Sequence, residues 1–288
     1  MRLSIFLLLS LVLAPLSASA DRLRAVASFS ILNDMVEMVG GELVEAVSIV
    51  GPDSDAHTYI PSVSDARAVA QADLVFVNGL GFEGWIGDLI AASGNDAPVI
   101  IVTRDIDPLM VEGEADPHAW NALANGQKYA QAIMQELSTL DPANAPQYSA
   151  NYQRYADRMQ AILDAAKPAF AALPEHHRTV VTGHDAFGYF EAQFNLRFLA
   201  PLGINTEAAP SAKALAELIQ QIRDERVGGL FVENITNPDL VAQIASETGL
   251  EIGGQLYSDA LSATGGPATS YLAMMEHNIA TLLSALNR

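Results

Sequence analysis

Short apolar or β-branched segments alternate with longer segments of helical spacing, and this alternation constrains the fold more than any other feature. The segments with strand character are residues 23–27, 44–50, 74–78, 99–102, 179–182, 196–199, 229–232 and 252–256. Strands that alternate with helices pair in parallel, because each crossover helix returns the chain to the same edge of the sheet. The sequence therefore predicts an α/β fold with two similar parallel-sheet lobes, each of four strands.

The two predicted lobes are separated by an unusually long helical region. Residues 121–140 have helical spacing, Asp141-Pro142 interrupts it, and residues 143–173 are predicted as one long helix. Its apolar positions advance in steps of three and four: Tyr148, Tyr152, Tyr155, Met159, Ile162, Ala166 and Phe170. One face of this helix should pack along both lobes and link them rigidly. We expect an N-terminal lobe at 21–142, a linking helix at 143–173 and a C-terminal lobe at 174–288.

The N-terminus has the features of a secretory signal. Met1 and Arg2 precede a nearly continuous apolar run over residues 3–13, and Ala18-Ser19-Ala20 has the small-x-small pattern of a cleavage site. The run is shorter than the roughly 20 residues of a spanning helix. We expect residues 1–20 to be a cleaved signal peptide and the mature protein to be periplasmic. No cysteine is present to carry a lipid.

The charge and cysteine content exclude several classes of function. The chain has 15 Lys and Arg against 34 Asp and Glu. Nucleic acids and anionic membranes bind basic surfaces, so neither is an expected partner. Because there is no cysteine, a bound metal must be held by nitrogen and oxygen atoms.

Four potential metal ligands lie at the ends of separate predicted elements. His57 and His184 follow predicted strands, Asp259 follows another, and His118 lies at a helix start in Asp116-Pro-His-Ala-Trp120. In open α/β sheets, ligands bind beyond the carboxyl ends of the strands. The loops of both lobes can therefore bring these side chains to one cleft, which indicates a transition-metal site.

Each of these four residues could also have a purely structural role. A single histidine is more often a surface or hydrogen-bonded residue, and Asp259 alone fits a turn; four such placements together favour a site. We expect His176 and His177 to lie in a solvated loop, His277 to lie at the surface or in local packing, and Glu112 and Glu114 to be solvated. Asp116 fits a helix cap, and Asp185 or Glu207 could orient the imidazoles.

The chain contains a series of ordered motifs: Asp55-Ala-His57 with Tyr59 and Pro61, Asp116-Pro-His-Ala-Trp120, His184-Asp-Ala-Phe-Gly-Tyr-Phe190, Val232-Glu-Asn234, Leu256-Tyr-Ser-Asp259, Gly266-Pro267 and Tyr271. With these motifs, residues 21–288 resemble the ZnuA and TroA family of metal-binding, substrate-binding proteins of ABC importers. The resemblance implies that His57, His118, His184 and Asp259 bind the metal as transported cargo. It also implies an inner-membrane permease as partner, a monomer, and no enzymatic activity.

Zinc is the predicted cargo. In the resembling family, histidine at the position of His184 is usual in zinc proteins, whereas many manganese proteins have a carboxylate there. Three imidazoles and one carboxylate suit Zn²⁺, while Mn²⁺ prefers more oxygen ligands. Affinity should fall below about pH 6, as histidines with ordinary pKa values become protonated. Asp259 is the expected ligand for closing or releasing the site.

One segment departs from the family pattern. Many zinc members have a long His-rich and acidic loop before the Asp-Pro-His motif, but residues 107–115 are short here. The motif context is most similar to the AztC zinc-binding subfamily, which resemblance links to a separate periplasmic zinc chaperone. Transfer from such a chaperone is an open question without the loop.

Other functions remain as alternatives. A manganese- or iron-binding component of the same transporter class would use the same fold. An exported zinc hydrolase would need an open metal position and a general base, for which Asp185 or Glu233 could serve. A binder of a siderophore or another large organic ligand on this scaffold is the third alternative. The predicted His-Asp cluster favours a bound metal ion over the last two.

Overall fold

The computed structural model of the protein describes residues 22–225 and 227–287. The predicted signal peptide lies outside these residues. Within the two described ranges, no helix is both long and apolar enough to cross a membrane.

The N-terminal lobe is built on a four-stranded parallel sheet. Its strands are β1 (Leu23–Phe29), β2 (Val44–Val50), β3 (Leu74–Val77) and β4 (Val99–Ile101). They lie in the order β2-β1-β3-β4, and all pairs are parallel. The helices between them are α1 (Ser30–Gly40), α2 (Val63–Ala70) and α3 (Ile86–Ser93). Each strand predicted for this lobe is confirmed to within two residues.

A short hairpin follows this sheet. Its strands are β5 (Met110–Val111) and β6 (Glu114–Ala115), which pair antiparallel. Glu112 and Gly113 form the turn, both with positive φ. The sequence does not predict this hairpin, because strands of two residues are too short to show a period of two.

The C-terminal lobe repeats the topology of the first. Its strands are β7 (Thr179–Val181), β8 (Arg197–Leu199), β9 (Val227–Glu233) and β10 (Ile252–Leu256). They lie in the order β8-β7-β9-β10, again all parallel, so first, second, third and fourth strands take the same places in both sheets. The helices of this lobe are α6 (Gly188–Phe194), α7 (Ala212–Asp224), α8 (Pro238–Thr248) and α9 (Tyr271–Leu286).

This topology fixes where a ligand can bind. In each sheet the chain leaves the first strand toward one side and later returns on the other. The order of connections therefore reverses between β1 and β3 and between β7 and β9. Such reversal points leave a crevice at the carboxyl ends of the strands.

Two helices, α4 (Leu123–Leu140) and α5 (Ala145–Ala171), join the lobes. The predicted break lies between them, where Asp141 Oδ2 accepts hydrogen bonds from Asn144 Nδ2 at 2.7 Å and Tyr148 Oη at 2.9 Å. The predicted apolar stripe of α5 is confirmed: its residues are buried or partly buried in the main core. α5 contacts both α1 and α9, one helix from each lobe. The domain boundaries at 142 and 173 stay predictions.

The hydrophobic core is continuous between the lobes. One large cluster runs from the N-terminal sheet through α4 and α5 to α6 and α9. A second, smaller cluster fills the outer side of the C-terminal sheet, around Val181, Leu230 and Ile244. Because apolar packing spans the interface, the loops that face each other across the crevice are held in contact.

Candidate metal centre

The structure brings the four predicted ligands together in the crevice between the lobes. His118, His184 and Asp259 have no solvent exposure, and His57 is 7% exposed. One potential ligand atom from each residue lies within 4.8 Å of the other three. Buried clusters of imidazoles and carboxylates require compensation, which a cation provides.

His57 lies in the loop after β2. Asp55 Oδ1 accepts a hydrogen bond from the backbone N–H of His57 at 2.9 Å, an Asx turn that fixes the loop. The indole N–H of Trp85 donates to the carbonyl of Ala56 at 2.8 Å. The following helix α2 begins with a capping box, in which the Ser62 side chain accepts from the backbone of Asp65.

His118 is held by Asp116. Asp116 Oδ1 accepts from the backbone N–H of His118 at 3.0 Å and lies 2.8 Å from its Nδ1. Asp116 does not take the expected helix-cap position, because the helical turn begins at Ala119 and His118 precedes it; the side chain, 1% exposed, faces the imidazole. When Nδ1 carries the proton for this contact, the lone pair of Nε2 points to the centre.

His184 is held by Glu233, which ends the neighbouring strand β9. Glu233 Oε1 accepts from the backbone N–H groups of Gly183 at 2.7 Å and His184 at 2.8 Å. Its Oε2 lies 2.6 Å from His184 Nδ1, although the pair is not aligned for a hydrogen bond. The proximity and the shared burial still favour a proton on Nδ1.

The expectation that Asp185 or Glu207 orients the imidazoles is wrong. Glu207 is exposed, and Asp116 and Glu233 contact the two imidazoles instead. Glu233 reaches His184 through the pairing of β9 with β7, so distance along the chain gives no signal of it. The signal that could have found it is its place at a strand end beside the reversal point.

Asp259 Oδ2 lies near all three imidazoles. This oxygen is 3.3 Å from His57 Nε2, 3.7 Å from His118 Nε2 and 3.1 Å from His184 Nε2. The Nε2 atoms of His57 and His118 are 3.2 Å apart. A tetrahedron with bonds of about 2.0–2.1 Å has edges of about 3.3–3.4 Å, so these separations fit four ligands around one zinc-sized ion.

The other oxygen of Asp259, Oδ1, is buried and has no hydrogen-bond partner. A carboxylate in this state can bind a cation through both oxygens. The donor set therefore allows four ligand atoms, or five when both oxygens bind.

The charges in the cluster are strongly coupled. Burial alone would lower the pKa of His118, but the negative charges of Asp259 and Asp116 outweigh it and raise this pKa to about 9. Burial likewise opposes the charges of Glu233 and Asp259 at His184, whose pKa is raised well above its usual range. Burial would raise the pKa of Asp259, yet His184 and His118 hold it well below normal.

These shifts mean that the metal-free cluster retains protons. A metal ion that binds the imidazoles must displace them, so binding releases protons. The predicted loss of affinity below about pH 6 rested on an ordinary histidine pKa. The raised pKa of His118 moves proton competition to higher pH.

Aromatic rings close the inner side of the cluster. The ring centroid of Phe82 is 4.8 Å from that of His57, and the centroid of Trp120 is 5.4 Å from that of His118. On the outer side, an open recess of about 320 Å³ is lined by His57, Glu114, Ile204 and other residues of the hairpin and loops. His57 is thus the ligand nearest to solvent.

The remaining histidines lie away from the cluster. His177 Nδ1 is 2.8 Å from the carbonyl of Leu286, and His277 Nε2 is 3.0 Å from the carbonyl of Gln255. His176 is exposed. His176 and His277 are thus placed as expected, whereas His177, expected in a solvated loop, is partly buried against the end of α9. Among the solvated acids, Glu112 is exposed as expected and Glu114 is exposed at the recess.

Comparison with known families gives a match along almost the whole described chain. The sequence profile of the family described as "Zinc-uptake complex component A periplasmic" (ZnuA) matches residues 25–285.

Curated relatives and solved structures agree with this match. The "Manganese-binding lipoprotein MntA" of Halalkalibacterium halodurans is 31% identical over 274 residues, which cover 94% of this chain and 91% of the relative. The "periplasmic zinc binding protein TroA" from Treponema pallidum has a TM-score of 0.89 at 27% identity, covering 93% of this chain and 100% of that one. An Mn-bound periplasmic metal binding protein from Candidatus Liberibacter asiaticus has a TM-score of 0.86 at 28% identity, covering 92% and 100%.

Proposed function

The chain belongs to the family of the periplasmic zinc-uptake complex component A, and on this premise we propose that it captures Zn²⁺ between its lobes and delivers it to a permease. The protein binds a divalent metal as an extracytoplasmic substrate-binding component of an ABC transporter, and it is not an enzyme. The hydrolase alternative is thereby set aside. A membrane permease is the expected partner.

The observation that carries the zinc proposal is the donor set. Three imidazoles and one carboxylate, from His57, His118, His184 and Asp259, converge: one potential ligand atom from each lies within 4.8 Å of the others, and Asp259 Oδ2 lies 3.1–3.7 Å from the three Nε2 atoms. Zn²⁺ favours four nitrogen and oxygen ligands in a tetrahedron, and apolar rings behind the imidazoles restrict entry of additional water. We propose these four residues as the metal ligands.

Manganese is the second candidate. The relative in Halalkalibacterium halodurans and a relative in Streptococcus pneumoniae are both named manganese-binding or manganese transport proteins. The free Oδ1 of Asp259 supports this alternative, since a fifth ligand and further oxygen donors suit Mn²⁺ better than Zn²⁺. Iron remains an alternative from the sequence only.

The cellular location and the domain organisation of the protein are part of the same proposal. We propose that the protein is a periplasmic monomer divided at residues 142 and 173, and that its signal peptide is removed on export. The apolar run near the N-terminus supports export. The AztC-type placement and transfer from a zinc chaperone remain predictions from sequence.

The metal content of the exported protein tests the cargo. The protein would be purified without chelator and measured by elemental mass spectrometry beside a His57→Ala/His118→Ala variant. About one zinc per chain, absent from the variant, is expected. A His176→Ala/His177→Ala variant controls for loss of two histidines elsewhere and should keep its zinc. Manganese or iron at the same stoichiometry would replace the proposed cargo, and no metal would contradict the assignment.

A further inference from the structure

The loop that carries His57 is tied to the opposite lobe by Asp53. The backbone N–H of Asp53 donates to the carbonyl of Leu261 at 2.9 Å. Its Oδ2 accepts from the backbone N–H of Ala263 at 2.9 Å, and its Oδ1 accepts from Asn234 Nδ2 at 3.1 Å. All three partners belong to the C-terminal lobe, so one residue makes three hydrogen bonds across the crevice.

The partners of Asp53 adjoin the residues of the metal centre. Leu261 lies two positions after Asp259 in the chain, and Asn234 directly follows Glu233. Asn234 Nδ2 also donates to the carbonyl of Ala260 at 3.1 Å. The tie therefore connects the loop of His57 to the segment of Asp259 at a distance of only a few residues from each.

The conformation of Asp53 suits an Asp residue. Its φ of 50° lies in the left-handed region, where L residues other than Asn and Asp are strained. Asp53 is also exposed, in contrast to the buried ligands. Hydrogen bonds at an exposed position can open without global unfolding, as a step in ligand release requires.

We propose that Asp53 is a positioning residue that sets the rate of metal release by holding the two lobes closed. This inference rests on the proposed function. Release requires proposed ligands of the two lobes to separate, and His57 and Asp259 come from opposite sides of the crevice. The tie through Asp53 opposes that separation and touches neither the ion nor its ligands.

The dissociation rate of Zn²⁺ tests the proposal. Protein loaded with one equivalent of Zn²⁺ would be mixed with excess chromogenic chelator in a stopped-flow instrument. Asp53→Gly removes both side-chain bonds and relieves the left-handed backbone, and about tenfold faster release is expected, the effect of one to two net hydrogen bonds. Asp53→Asn keeps the backbone preference and one acceptor, and about threefold faster release is expected.

Two controls distinguish a positioning role of Asp53 from an effect of its charge and from a change in the metal ligands. Asp88→Asn removes one exposed carboxylate from α3 in the same lobe and should release Zn²⁺ at the wild-type rate. The Co²⁺-loaded Asp53 variants should show the absorption spectrum of the wild type, because the ligand set is unchanged. A changed spectrum would overturn the positioning role.

A double-mutant cycle tests the hydrogen bond between Asp53 and its partner Asn234. Asn234→Ala should also speed release, and less so in the Asp53→Gly background than in the wild type, because the two side chains share a bond. If Asp53→Gly fails to fold, the Zn²⁺ release rate of Asp53→Asn tests the proposal.

Wild-type release rates in both Asp53 variants would refute this inference and leave the proposed function standing. Failure of the wild type to retain Zn²⁺ would instead contradict the proposed function.

Discussion

Trp120 donates its indole N–H to the backbone carbonyl of Ser258, 2.8 Å away on the opposite lobe. Trp120 lies two residues after His118, and Ser258 lies one residue before Asp259. The bond is fully buried, so it fixes the relative position of two proposed ligands from different lobes. Tyr271 at the start of α9 extends the link, since its hydroxyl donates to the carbonyl of Trp120 at 2.7 Å.

The carboxylates behind the imidazoles should control metal affinity. Glu233→Gln replaces the oxygen that faces His184 Nδ1 with an N–H group, and Asp116→Ala removes the contact to His118 Nδ1. Each change should weaken zinc binding by about 10–100-fold, the usual effect of losing such a partner. Competition with a chelator of known affinity measures this. Asp185→Asn is the control, and an equal loss there would contradict the assigned roles.

The identity of the residue at position 184 should govern metal preference. His184→Glu exchanges a nitrogen donor for oxygen and adds a negative charge, so zinc affinity should fall relative to manganese affinity. Competition titrations with both metals give the ratio. His176→Glu makes the same exchange at an exposed site and should not alter it. An unchanged ratio in the His184 variant would count against the zinc assignment.

Gly126 should be intolerant of a side chain. A Cβ there would clash with the hydroxyl of Tyr271 and lie 2.9 Å from two of its ring carbons. Gly126→Ala should therefore destabilise the protein by about 1–3 kcal/mol, despite the better helix propensity of alanine. Urea unfolding of the metal-free protein measures it. Gly87→Ala in α3 has open space around its Cβ and should be neutral or stabilising; equal effects of both changes would refute the argument.

Asp34 should make stability depend on pH. It accepts hydrogen bonds from the backbone of Tyr271 and the hydroxyl of Tyr155, which join α1 to α9 and α5. Burial raises its pKa from 3.8 to about 6, against the effect of these bonds. The folded state thus binds the proton more tightly than the unfolded chain. The stability from this group is present below pH 3.8 and lost as pH rises through about 6.

Asp34→Asn should remove the loss of folding stability that accompanies ionisation of Asp34. The free energy of unfolding of the metal-free variant should match the wild type near pH 4 and exceed it by about 2–3 kcal/mol at pH 7. Urea unfolding across this range measures the difference. Asp88→Asn serves as the exposed control, and a difference that is flat with pH would show that Asp34 does not titrate as described.

Much of the fold was predictable, because strands with buried β-branched residues and amphipathic helices leave clear periodic patterns. The four clustered residues were also predictable, since three follow strands and one starts a helix at the crevice. The contacts of Asp116 with His118 and of Glu233 with His184 were not predicted, because they depend on side-chain direction and strand pairing. The three bonds of Asp53 were not foreseen either, since they join loops that are about 180 to 210 residues apart.

X-ray absorption at the zinc K-edge tests the central claim most directly, using protein loaded with one equivalent of Zn²⁺. The account predicts a first shell of three nitrogen atoms and one or two oxygen atoms at about 2.0–2.2 Å, with the outer-shell scattering of three imidazole rings. His57→Ala should reduce the imidazole scattering by one ring. A shell of oxygen atoms without imidazole scattering, or no change in the variant, would contradict the assignment of these residues as the metal site.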